Sequence, residues 1–141
     1  GGVHDKDNRY NYPQAYDFID MLNNTCNGEG VSICVASDQC GAGEVCGFAD
    51  YRDWRLPNIK ELVSIVHYEN INPATSDAFN TECVDGCTLA TCSCAAGVFW
   101  WSSTTYAPDP SHALGVFFGN GDARDLGKGN ARPVRAVRGG L

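Results

Sequence analysis

Eight cysteines are the residues of this sequence most able to do chemistry, and their spacing decides which chemistry. They fall into two groups of four: Cys26, Cys34, Cys40 and Cys46, then Cys83, Cys87, Cys92 and Cys94. A thiolate metal site needs CxxC-type pairs, or cysteine with histidine close by. No spacing here is CxxC, and His4, His67 and His112 all lie outside both groups. An even count in two irregular stretches points instead to disulfides stapling long loops in an oxidising compartment. Pairing within each group is expected over pairing across them, and the connectivity inside a group stays open.

Other chemistries have weaker support. Ser102 and Ser103 lack a nucleophile elbow of the GxSxG kind, and the histidines are scattered along the chain, so no catalytic residue is assigned. Asn120, Asp122 and Asp125 offer oxygen ligands that calcium would accept. No EF-hand run accompanies them, and Asn and Asp are also good turn residues. No cofactor or metal is therefore expected, with calcium at Asn120, Asp122 and Asp125 as the one candidate.

The elements that position these residues are marked most clearly between Asp53 and Val66. Asn58 is a helix N-cap and Glu61 completes a capping box, while Pro57 holds Leu56 extended. Ile59, Leu62, Ile65 and Val66 share one helical face, and Trp54 and Leu56 alternate as in a strand. A second helix is predicted from Pro13 to Leu22, with Ala15, Phe18, Ile19 and Leu22 on its apolar face. Val98–Ser103 is predicted as a strand with Phe99 and Trp101 on one face and Trp100 and Ser102 on the other. Aromatic residues on both faces predict a central strand covered on both sides. Ala113–Phe118 and Ala123–Leu126 form a hairpin turning at Gly119-Asn120-Gly121, and Val134–Arg138 is a last strand. Two helices packed on a small antiparallel sheet, with long stapled loops, make an α+β domain.

The chain has 141 residues and a formal charge of −7, from 10 basic and 17 acidic side chains. That length is one domain, and the charge argues against nucleic acid, which is bound through basic patches. No apolar run approaches the ~18 residues that would span a bilayer. Arg124, Lys128, Arg132, Arg135 and Arg138 are bunched late in the sequence and could make a local basic face.

Three separated runs, DWRLPNIKELVSIV from Asp53, FWWSSTTYA from Phe99 and PVRAVRGG from Pro133, resemble the Lcl-type domain. That family is named for the C-terminal domain of a Legionella collagen-like adhesin. The resemblance covers nearly the whole chain as a single domain, and is weakest between Cys26 and Cys46. It implies a C-type-lectin-like fold on a secreted or cell-surface bacterial protein. In the family, a run like GVHDKDNRYNY follows an earlier strand, so the resemblance also implies a chain that begins inside the domain or after a cleavage. Trp54, Trp100, Trp101, Arg135 and Arg138 carry the motif and are read as scaffold. Arg135 and Arg138 alternate faces, and one of them is expected to pair with Asp53 or Glu61.

The fold implied by the resemblance often carries ligand contacts on the loop after the WSS strand. Tyr106, Asp109, His112, Asn120, Asp122 and Arg124 are the candidate ligand-binding residues, provided the Tyr106 loop and the hairpin turn share one end. The calcium-lectin signatures EPN, QPD and WND are absent, and the acidic charge disfavours a sulfated polysaccharide. Formylglycine-generating enzymes share the fold class, but a reactive cysteine sits apart in an electropositive pocket, whereas every cysteine here has ready partners. The expected function is a non-catalytic, adhesin-like binding module for glycan or protein. The alternative is a structural subunit of an extracellular assembly such as a surface filament, in contact with copies of itself.

Overall fold

The computed structural model describes residues 8–81 and 93–139. Its main elements are helix α1 (Tyr12–Asn24), strand β1 (Trp54–Arg55), helix α2 (Ile59–Ser64), and strands β2 (Phe99–Thr105), β3 (His112–Phe117), β4 (Asp122–Gly127) and β5 (Val137–Arg138). The chain is an α+β protein with two small antiparallel sheets, β2-β3-β4 and β1-β5. Among the described residues, no helix is long and apolar enough to cross a membrane.

Both helices begin where a side chain can satisfy their free N–H groups. Asn58 and Glu61 form the expected capping box on α2. Helix α1 starts one residue before Pro13, because Asn11 and Gln14 form a second capping box. Asn followed three residues later by Gln is the same signal that marks α2.

The three-stranded sheet lies between the helices. On one face Trp101, Ala113 and Leu126 pack with Tyr12, Ala15, Phe18, Ile19 and Leu22 of α1. On the other, Trp100, Val116 and Phe118 pack with Leu62 and the partly buried Ile59, Val63 and Val66. The alternation of aromatics along β2 therefore does place cover on both faces. The central position, however, belongs to β3, and β2 lies at the sheet's edge. Its outer N–H groups are satisfied by non-strand carbonyls: Trp101 donates to Pro133 O at 3.2 Å and Ser103 to Pro57 O at 2.8 Å. Two-sided aromatic burial reports cover on the faces and says nothing about strand pairing, which explains the difference.

A bulge interrupts β2 between Trp101, opposite Gly115, and Thr105, opposite Ala113. Ser102 Oγ donates to Leu114 O at 2.6 Å, a side-chain bond inside the interrupted ladder. The hairpin turns as expected. Gly121 has φ +83° and is buried, and a Cβ there would sit 2.5 Å from Val66 Cγ1, so the turn needs glycine both for its backbone and for space.

The first cysteine group is fully paired, Cys26 with Cys40 and Cys34 with Cys46. Both bridges lie within the group, as the clustering implied. Cys94 is also disulfide-bonded. Cys83, Cys87 and Cys92, like His4, lie outside the described residues.

Candidate functional site

The motif residues knit the scaffold together. Arg55 on β1 holds Glu61 through two bonds, of 2.8 and 2.6 Å, and donates Nε to Gly139 O at 2.7 Å. One guanidinium thereby joins β1, α2 and the chain after β5. Arg55, helped by the Asn58 N–H, draws the Glu61 carboxyl down to about 2. Arg138 pairs with Asp53 at 2.8 Å, the expected ion pair, and holds that carboxyl below its usual range. Arg135 points elsewhere, donating to Cys94 O at 3.1 Å and bonding the Ser93 hydroxyl, so it braces the second cysteine region. Burial lowers the pKa of that guanidinium. All three indoles bond backbone carbonyls: Trp54 to Phe48, Trp100 to Ala96 and Trp101 to Tyr10.

The six candidate ligand residues do not form one surface. Pairing runs from His112 opposite Gly127 to Phe117 opposite Asp122, so the turn holding Asn120 lies one strand length from the Tyr106 loop. Six residues of antiparallel strand span roughly 20 Å. The shared end that would unite them is absent, because the sequence cannot say toward which end of a hairpin a preceding loop folds.

At the loop end, Tyr106 N–H donates to His112 O at 3.0 Å and His112 N–H to Asp109 O at 3.0 Å. His112 Nδ1 lies 3.1 Å from Asp125 and 3.5 Å from Asp109. The Ser111 hydroxyl and N–H both donate to Asp109, and with His112 they lower the pKa of its carboxyl. Lys128 Nζ donates to Thr105 Oγ1 at 3.0 Å and to Pro110 O at 2.9 Å, bringing an ammonium to the same end. Asp125 and Lys128 were not among the candidate ligand residues. Their signal lay in strand register, since Asp125 stands diagonal to His112 on one face.

At the turn end, Asn120 Oδ1 accepts the Asp122 N–H at 3.0 Å, and Asp122 is paired with Arg124. Arg124 lies 5.4 Å over the Phe99 ring. Asp122 and Asp125 are three apart on β4 and so face opposite sides of the sheet. The calcium set of Asn120, Asp122 and Asp125 therefore does not converge. The sulfurs of Cys26, Cys34 and Cys40 do lie close together, but each is consumed in a disulfide and offers no thiolate. Of the late basic residues, Arg124 and Arg132 both stand over the Phe99 ring, at 5.4 and 5.8 Å, while Lys128 lies over Tyr12, Arg138 pairs with Asp53 and Arg135 turns to Ser93 and Cys94, so the five do not form a single face.

Ser102, buried and bonded to Leu114 O, has no histidine among its hydrogen-bond partners within the described residues. The polar end around His112 offers carboxylates, an imidazole and an ammonium at a partly exposed edge, an arrangement able to bond hydroxyls and amides. The model of one protein family, described as the Lcl C-terminal domain, matches residues 3–138. No curated protein and no solved structure matches the chain.

Proposed function

Because the chain belongs to the Lcl C-terminal domain family, we propose that it is a non-catalytic, adhesin-like binding module of the cell surface or extracellular space. The family match over nearly the whole chain carries this reading. Disulfides within the first loop and at Cys94 fit an oxidising, extracellular location. We also infer a C-type-lectin-like fold, supported by helices on both faces of a small sheet and by long stapled loops. The recognition edge is the end of the β3–β4 hairpin where Asp109, His112 and Asp125 meet, with the Lys128 ammonium at the same end over Tyr12 of α1, and the ligand is a glycan or a protein presenting hydroxyl and amide groups. Non-catalytic character is supported by Ser102, whose hydroxyl serves the sheet.

Binding of the purified protein to arrays of glycans and matrix proteins tests the reading. Saturable binding that falls at least about tenfold in a His112→Ala, Asp125→Ala double variant is expected. Failure on both arrays, or turnover of any arrayed compound, would remove it.

Tyr68 and Ile71, both strongly exposed between α2 and the hairpin turn, favour a second reading as a structural subunit of an extracellular assembly. Sedimentation separates the two. A subunit forms large particles through contacts burying more than ~1,000 Å², whereas a binding module stays small.

A further inference from the structure

The first stapled loop carries an apolar ridge on its outside. Val31, Ile33 and Val35 are 83%, 85% and 67% exposed, while Cys34 between them is buried in its disulfide with Cys46. Single exposed apolar side chains are ordinary, but three at alternate positions of one segment form a strip. One edge of that segment is already paired. Cys26 N–H donates to Ser32 O at 2.8 Å and Cys34 N–H to Asn24 O at 2.9 Å, setting Thr25 opposite Ile33. In this antiparallel pattern the N–H and C=O of Ile33 point to the other edge. No hydrogen bond to either group occurs among the described residues. The rung beyond it is closed, since Val35 N–H donates to Gln39 Oε1 at 2.7 Å and Val35 O accepts from Arg52 at 2.6 Å.

Charge identifies what fits this edge. Residues 10–51 contain no Lys, Arg or His, and the exposed acids Glu29 and Asp38 flank the ridge. Neither acid forms an ion pair among the described residues. Arg52 is the cation at the ridge's end, and its donors are directed at Asn23 O, Val35 O and Asn24 Oδ1. A second copy would bring the same acids, Glu29 and Asp38, and no cation from residues 10–51 to meet them, which opposes self-pairing.

We propose that the Val31–Val35 edge docks an extended segment of a partner protein by strand addition, the segment carrying apolar side chains interleaved or flanked with lysine or arginine. Ile33 supplies the backbone rung, the three apolar side chains supply the buried contact, and Glu29 and Asp38 select cations. This surface is separate from the His112 edge, so either can fail alone.

The test is a displayed library of random peptides about ten residues long, selected on the intact protein and re-measured on variants. Enriched peptides should alternate apolar residues with Lys or Arg. Their Kd should weaken roughly tenfold or more in Ile33→Asp, and about threefold in Glu29→Gln with Asp38→Asn or on raising salt from about 0.05 to 0.5 M. All three positions are exposed, so unchanged circular dichroism is expected and separates lost docking from lost folding. No enrichment, enrichment without basic residues, or equal binding to Ile33→Asp would overturn the proposal. So would a concentration-dependent dimer that Ile33→Asp abolishes, since it would make a second copy the occupant.

Discussion

The loop between α1 and β1 and the β2–β3–β4 sheet are ordered by opposite means. The sheet buries large side chains on both faces, Trp101 against α1 and Trp100 against α2, and its apolar residues turn inward. In the loop the buried cluster is Cys26, Cys34 and Cys46, packed by Cys40, so the bridges themselves are its interior. Covalent order relieves the loop's other side chains of any part in a core. That is why Val31, Ile33 and Val35 can stand outward in a segment tied by its bridges. A region held by its core has few apolar residues left for a partner, whereas a region held by disulfides can present them.

The contrast breaks most visibly in the core. Trp101→Ala removes a fully buried ring, its bond to Tyr10 O and its edge contact with Tyr12. It should cost about 3–5 kcal/mol in denaturant unfolding and loosen both regions together. Next in size, replacing Cys34 and Cys46 by serine should cost about 3 kcal/mol at most, since the bridge closes a short loop. Amide exchange is the discriminating readout. Amides of 26–46 should lose protection while those of β3 keep theirs, and equal loss in both would show one cooperative unit.

Smaller effects sharpen the account of how the two regions meet at β1 and α2. Glu61→Gln loses the Arg55 charge pair and weakens the capping box, at about 1 kcal/mol near neutral pH. The carboxyl sits lower in the folded chain than in the unfolded one, so its contribution is present above the ordinary carboxylate range. That contribution is lost as pH falls toward about 2. Acid titration of stability should therefore be shallower in Glu61→Gln, and parallel curves would exclude Glu61 as a source. Least of all, Arg138→Ala should barely lower the thermal unfolding midpoint, because its pair with Asp53 is well exposed and screened by solvent. A larger loss in thermal unfolding would mean that its stacking over Tyr51 and Trp54 matters more than its charge.

Much of this was legible in the chain itself. The Asn58–Glu61 cap, the apolar faces of both helices, the turn at Gly119-Asn120-Gly121 and disulfides within the first cysteine group all follow from local rules. Capping, period and loop closure depend on residues near one another in sequence. The family pattern was readable for the same reason, its motifs being short runs with fixed order.

What tertiary structure alone decided are relations between distant segments. Strand register brought Asp125 to His112 and set Asp122 on the opposite face, undoing the calcium set, while the hairpin's length put Asn120 far from Tyr106. The carbonyls of Pro57 and Pro133 fixed β2 at an edge, and the bulge gave the Ser102 hydroxyl its place in the ladder. The outward ridge is a relation of the same kind, because the alternation Val31, Ile33, Val35 would equally suit a buried strand. Only the pairing of Cys34 with Cys46 and of Thr25 with Ile33 turns it to solvent. A side chain's type limits the contacts it can make, but which contact it makes depends on the segments packed beside it.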